Sequence, residues 1–141
     1  MANLSRTYKL RLSQKGVDCF HDGHHRLGRL VRELQPYGTT LFVAVTLLER
    51  LDCSDLAAEI ETPRCAELAG DISCFVGFPQ QLAQVVDRVS RRMEASDEYG
   101  AIPVGKLYIA AILTLIAADN GQILQAYRSA CAIRQSTGSP A

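Results

Sequence analysis

The run LFVAV at residues 41–45 recurs 66 residues later as LYIAA at residues 107–111. Both runs have an aromatic residue at the second place and alanine at the fourth. The longer apolar segment, residues 107–118, is shorter than the roughly 20 residues that a membrane span needs. We therefore expect two buried helices, over residues 41–60 and 104–133, at the core of the protein.

An amphipathic helix is predicted before each of these buried helices. The sequence RLGRLVREL at residues 26–34 matches QLAQVVDRV at residues 81–89, apolar on apolar, at a spacing of 55. In the first of them the apolar residues follow the i, i+3, i+4, i+7 order of a helix with one buried stripe. At the same spacing the pair Cys19-Phe20 matches Cys74-Phe75. The change of spacing predicts a longer first helix and a longer loop in the second half.

Two β-hairpins are predicted ahead of these helices. Tyr8, Leu10 and Leu12 alternate with Lys9 and Arg11, which is the period of a strand over residues 7–12. Gly16 offers a turn, after which residues 17–20 can return as a second strand. In the same way residues 64–68 and 71–76 can form strands on either side of Gly70.

These elements predict a mostly helical α+β protein of two β-hairpin–helix–helix halves. The halves cover residues 1–62 and 63–135, and residues 136–141 are expected to be a disordered tail. A unit of about 65 residues buries a poor core alone. We therefore expect the halves to pack on each other as an internal pseudo-dimer, with their apolar helices in contact.

The second half carries a family resemblance. The sequences AELAG at 66–70, LAQVVD at 82–87 and PVGKLYIAAIL at 103–113 lie within residues 64–125, which resemble the ZapA family of cell-division proteins. In that family a hairpin with a turn glycine precedes a helix with an Ala/Val-Val-Asp signature and a helix rich in alanine and leucine. The resemblance implies cross-linking of division-ring filaments through charged head surfaces. The family has one such head, whereas here a similar half precedes it.

Composition and missing motifs narrow the function. Fifteen basic residues balance fifteen acidic ones, and 48% of the 141 residues are hydrophobic, as in a folded protein without a strong overall field. Phosphate-loop, zinc-protease and nucleophile-elbow motifs are missing, so we expect no enzyme activity and no cofactor. Five cysteines without a C-x-x-C pair and a start without an apolar signal segment predict reduced thiols in the cytoplasm and no membrane association.

The candidate binding surface is basic. Residues 1–32 hold seven Lys or Arg and two Asp, a net charge of +5. Five of these side chains are predicted to face solvent and bind a partner: Lys9, Arg11, Arg26, Arg29 and Arg32. The favoured interpretation is a non-enzymatic protein that binds a protein partner or regulates an assembly, and that can also pair with a second copy of itself.

Two alternatives use the same part of the chain. The basic face of residues 6–32 could bind nucleic acid, because strand–helix–helix units also occur in ribbon–helix–helix DNA-binding proteins, whose strand residues read the groove. The turn signature of that fold is missing, and the net charge is zero. The second alternative is a small metal-binding protein, because four ligand-type residues lie close together in the sequence: Cys19, His21, His24 and His25.

Overall fold

The computed structural model describes residues 5–96 and 98–138. Within them the chain is a mostly helical α+β structure, as the sequence predicts, with one two-stranded antiparallel sheet. None of the described helices is both long enough and apolar enough to cross a membrane. The elements in chain order are β1 (Ser5–Leu12), α1 (Gln14–Val31), α2 (Tyr37–Glu49), α3 (Cys53–Glu61), α4 (Pro63–Leu68), β2 (Ile72–Pro79), α5 (Gln80–Ala95), α6 (Val104–Ala117) and α7 (Asn120–Gly138).

The prediction of a local hairpin in each half is wrong. β1 pairs with β2, from Ser5 opposite Pro79 to Leu12 opposite Ile72, so the sheet joins strands from the early and the late part of the chain. The alternation of the first strand is as expected, because Leu10 and Leu12 are buried while Lys9 and Arg11 are exposed. We call this two-stranded sheet the ribbon.

Residues 17–20, the expected return strand of the first hairpin, lie inside α1. The hydroxyl of Ser13 accepts a hydrogen bond from the Gly16 amide at 3.1 Å and so caps the helix at its start. From there Gly16, Phe20 and Leu27 face the core along one stripe. A four-residue apolar run does not distinguish strand from helix, and the cap at Ser13 is the local signal that does.

Residues 64–68, the expected first strand of the second hairpin, belong to α4. The Thr62 side chain accepts a hydrogen bond from the Cys65 amide, and Pro63 occupies the first helical position, where its missing N–H costs nothing. The hairpin part of the ZapA-like pattern therefore does not form. The strand predicted over residues 71–76 does form, as β2.

Each of the two long helices predicted in the core is divided into two. α2 ends at Glu49, and α3 begins after Asp52, whose carboxylate accepts from the Asp55 amide at 2.8 Å. α6 ends at Ala117, and α7 begins after a reciprocal cap in which Asp119 and Gln122 each accept the other's backbone N–H. The first three residues of the predicted tail belong to α7, and residues 139–141 lie outside the described residues.

α2 and α6 pack together at the centre of the protein, under the inner face of the ribbon. Both are apolar on nearly all sides, and residues 38–48 of α2 are buried without interruption. A helix that is hydrophobic all round needs cover on every side. α1, α5 and α7 supply that cover together with the ribbon, and α1 and α5 each present one apolar stripe.

The side chain of Arg92 in α5 holds the end of α2. Its two terminal nitrogens donate to the carbonyl oxygens of Glu49 at 3.1 Å and Leu51 at 2.9 Å, which are among the carbonyls that a helix leaves unpaired. Arg88, one turn earlier, makes a two-pronged ion pair with the Glu49 carboxylate at the surface. α5 is therefore fixed to α2 by polar contacts as well as by its apolar stripe.

Buried positions recur 66 residues apart through both halves. The order strand, helix, helix, helix occurs twice, as β1–α3 and as β2–α7, with α4 between. The match of Cys19-Phe20 with Cys74-Phe75 is wrong, because Phe20 is buried in α1 while Phe75 is exposed on β2. The pairs that share burial at a spacing of 66 are Leu10 and Val76, Leu12 and Phe78, Phe20 and Val86, Leu27 and Met93, Leu41 and Leu107, and Phe42 and Tyr108.

Candidate functional site

The outer face of the ribbon is the candidate site. Alternate residues of a strand point to opposite faces, so the residues between the buried ones point to solvent. Three cross-strand pairs form this face, and each contains one residue from each strand: Thr7 with Gly77, Lys9 with Phe75, and Arg11 with Ser73. We call these six residues the ribbon face.

Two of the five predicted partner-binding residues, Lys9 and Arg11, lie on the ribbon face and are exposed. Neither takes part in an ion pair within the described part of the chain. Lys15 lies just after β1, but it is already paired with Glu67 at 2.6 Å. The positive charge of the ribbon face is therefore carried by the two strand residues that alternation identified.

Phe75 was not predicted to be a site residue. Its side chain is 70% exposed at the middle of the ribbon face, directly opposite Lys9. The signal was present in the sequence, because Val76 and Phe78 are the inward pair of that strand and Phe75 lies between an outward Ser73 and an outward Gly77. An exposed aromatic residue with cations beside it is suited to contact with a ligand rather than with the core.

Arg26 is used inside the fold. Its guanidinium donates to the Asn120 side-chain oxygen at 3.1 and 2.8 Å and to the Ile116 carbonyl at 3.4 Å. It therefore joins α1 to the α6–α7 junction. The prediction of Arg26 as a partner-binding residue relied on its polar position in α1 and could not include Asn120, which is 94 residues away.

Arg29 and Arg32 lie at the far end of α1 from the ribbon. A helix rises about 1.5 Å per residue, so Arg29 is roughly 22 Å along the helix axis from its first residue, Gln14. Arg32 ends the helix in a left-handed conformation with φ of 60°. Both line a shallow groove of about 420 Å³ together with His24, His25 and Leu34. The predicted basic face is thus divided into two separate surfaces.

The four candidate metal ligands are not brought together. Among the described residues no group of three or more His, Cys, Asp or Glu is placed to hold a metal ion. His21 and His24 have other partners: the Tyr37 hydroxyl lies 2.6 Å from Nδ1 of His21, and the Thr40 hydroxyl lies 2.7 Å from Nδ1 of His24. Tyr37 also stacks on His24 with ring centres 3.7 Å apart.

This histidine cluster joins α1 to the start of α2. Burial lowers the pKa of His24 below its usual value, and the positive charges of His21 and His25 lower it further. Cys19 lies half-buried on the same helix, and all five cysteines of the chain are free thiols. The cluster therefore serves as a packing contact between two helices, with one histidine that resists protonation.

The starts of α2 and α6 lie against the ribbon. Both helices have proline at the N-cap, Pro36 and Pro103, and neither start has a side-chain cap. A methyl group built on Gly38 would overlap the backbone of Gly77, and one built on Gly105 would lie 3.6 Å from the Tyr8 hydroxyl. Uncapped helix starts carry free N–H groups and a partial positive charge, which favour anions.

Comparison of this chain with models of known protein families, with curated proteins and with solved structures finds no match.

Proposed function

We propose that this protein binds double-stranded DNA by placing the ribbon face in the major groove. The observation that carries the proposal is a two-stranded antiparallel ribbon whose inner face is buried and whose outer face presents Lys9 and Arg11 beside small neighbours. The major groove, about 12 Å wide, admits a two-stranded ribbon. The element order and the strand pairing resemble those of ribbon–helix–helix proteins.

The side chains of the ribbon face fit base recognition. Outward residues on one strand repeat about every 6.8 Å, so Thr7, Lys9 and Arg11 span about 14 Å, or roughly four base-pair steps. Lysine and arginine donate to guanine, and an aromatic side chain such as Phe75 suits the thymine methyl group. The uncapped starts of α2 and α6 beside the ribbon would hold the phosphates on either side.

The proposal includes an internal pseudo-dimer in which each half contributes one strand to the ribbon. It is supported by the constant spacing of 66 residues between matching buried positions. At that spacing Lys9 corresponds to Phe75, and these two residues are paired with each other near the middle of the ribbon. An approximate two-fold axis would therefore pass through this pair, while the outward residues of the two strands differ, so the two half-sites on DNA would differ in sequence.

The experiment is fluorescence anisotropy with a labelled random-sequence duplex at salt concentrations from about 50 to 200 mM. A double variant, Lys9→Gln with Arg11→Gln, is expected to lose at least about 10-fold in affinity and to reduce the salt slope by about 1.8. The control variant, Arg29→Gln with Arg32→Gln, removes the same charge from the other surface and is expected to change affinity little. Binding without salt dependence, or equal losses in both variants, would refute the proposal.

A protein partner on the same face is the second candidate, and the exposure of Phe75 favours it. A large apolar residue at the centre of a charged rim is the usual form of a protein-binding hot spot. The partner would be a component of an assembly in the cytoplasm, such as the division-ring filaments that the ZapA resemblance implies, or a second copy of this chain. Sedimentation of the wild type and of Phe75→Ser separates the last case, because only self-association would be lost in the variant.

A further inference from the structure

A small cavity lies behind the ribbon, on the side away from the ribbon face. Its volume is about 290 Å³, at the lower end of the range for ligand sites. Side chains of β1, β2, α5 and α6 line it, and most of them are apolar or aromatic. The residues that matter for its chemistry are Arg6, Tyr8, Phe78, Asp87, Ser90 and Tyr108.

Tyr108 is the first sign of a ligand. The side chain is only 2% exposed, yet its hydroxyl has no hydrogen-bond partner within residues 5–96 and 98–138. Other buried hydroxyls are satisfied, as in Thr46, which donates to the Phe42 carbonyl at 2.8 Å. A buried hydroxyl without a partner costs about 1–3 kcal/mol. Burial raises the pKa of Tyr108 to about 12, so the phenol keeps its proton and can donate it.

Arg6 is the second sign. It lines the cavity near the start of β1 and has no ion-pair partner in the described part of the chain. The other charged residue of the lining, Asp87, is already engaged by the Nε of Arg91 at 3.0 Å. The cavity therefore combines a guanidinium without a counter-ion and an apolar interior. A guanidinium suits a carboxylate, because its planar N–H groups can donate two parallel hydrogen bonds.

The aromatic rings define the shape of the interior. Tyr8 and Tyr108 lie with ring centres 4.6 Å apart, and Phe78 lies 6.3 Å from Tyr108. Such rings favour another ring in stacked or edge contact. With a guanidinium at one end and a phenol hydroxyl in the wall, the lining matches a ring that carries an acid group at one end and a polar substituent at the other.

We propose that this cavity binds a small aromatic carboxylate. Its carboxylate pairs with Arg6, its ring packs among Tyr8, Phe78 and Tyr108, and its polar substituent bonds to the Tyr108 hydroxyl. Arg6 and Tyr8 belong to the strand that carries Lys9 and Arg11, so an occupied cavity would fix the strand behind the ribbon face. The binding itself does not depend on the DNA proposal, and its test contains no DNA.

The test is isothermal titration calorimetry of the full chain with 4-hydroxyphenylacetate and with its neutral analogue 4-hydroxyphenylacetamide. The carboxylate is expected to bind saturably with one site per chain, and the amide at least 10-fold more weakly. Arg6→Gln is expected to lose that difference. Tyr108→Phe is expected to weaken binding several-fold without lowering the stability of the free protein, because it removes a hydroxyl that has no partner. Arg11→Gln, on the opposite face of the same strand, is the control and should bind as the wild type does.

Two results would overturn the proposal. One is the absence of saturable binding by the carboxylate up to about 10 mM, which is weaker than a −4.1 kcal/mol interaction. The other is binding that Arg6→Gln and Tyr108→Phe leave unchanged. Ser90→Leu provides a second check on the wall formed by α5, since filling the cavity should abolish binding, and undiminished binding would place the ligand elsewhere.

Discussion

Gly38, in the first turn of α2, gives the most direct test of how the early and late parts of the chain meet. A methyl group built on Gly38 would overlap the carbonyl oxygen of Gly77 in β2 and would lie 3.0 Å from both the Gly77 carbonyl carbon and the Phe78 Cα. All three atoms belong to backbone, so the crowding cannot be relieved by a side-chain rotation. Gly38→Ala should therefore push α2 away from the ribbon.

The size of the effect follows from two opposing contributions. Alanine in a helix is favoured over glycine by up to about 1 kcal/mol. Overpacking a close contact typically costs about 1–3 kcal/mol, and a clash with fixed backbone belongs at the upper end. We expect a net loss of about 2 kcal/mol in the free energy of unfolding. With a urea m-value of about 2 kcal/mol per molar, the midpoint should fall by about 1 M.

Gly28→Ala is the matched control for this substitution. Gly28 lies inside α1, and a methyl group there would meet only the Glu33 carbonyl oxygen at 3.5 Å, an ordinary contact. This variant should be as stable as the wild type or slightly more stable. Urea unfolding followed by circular dichroism measures both. If Gly38→Ala were as stable as Gly28→Ala, the contact between α2 and the ribbon would be wrong.

Two further predictions concern single side chains. Arg92→Met should lower the free energy of unfolding by about 3 kcal/mol, because it removes two charged donors from the end of α2. Arg88→Gln, one turn away, should cost less than about 1 kcal/mol because its ion pair is exposed, and equal effects in urea unfolding would contradict this. The pKa of His24 is lower in the folded protein than its ordinary value of 6.5, so below that pH the unfolded chain takes up the proton first and stability should fall as the pH drops from 7 to 5. His24→Gln should flatten that fall in a series of unfolding curves, whereas a slope unchanged from that of the wild type would refute it, and His25→Gln is the comparison on the same helix.

Elements with a long local period were predictable from the sequence. The alternation of Tyr8, Leu10 and Leu12 correctly predicted β1, and the stripe that begins at Leu82 correctly predicted α5. The segments at 17–20 and 64–68 were assigned wrongly because they are too short to show a period. Their helical state depends on the caps at Ser13 and Thr62.

The candidate site was predictable only where it depends on a single strand. Alternation alone places Lys9 and Arg11 outward, whereas the position of Phe75 opposite Lys9 depends on strand pairing between distant parts of the chain. The same limit applies to Arg26, because nothing near it in the sequence indicates the contact with Asn120. Long-range pairing is chosen by the total burial of both faces, which no local window contains.

The spacing between the halves shows how a partly correct pattern can lead to a wrong detail. Two spacings, 55 and 66, require eleven extra residues between the helices of the second half, and the first spacing aligns a buried Phe20 with an exposed Phe75. A single spacing of 66 aligns Phe20 instead with the buried Val86, and it also aligns the strands, which the shorter spacing does not. One constant spacing accounts for strand, amphipathic helix and buried helix together, so it is the stronger basis for an internal pseudo-dimer than either run of matching letters. It also explains why the hairpins are missing: in a pseudo-dimer of this kind each half needs only one strand, because the other half supplies its partner.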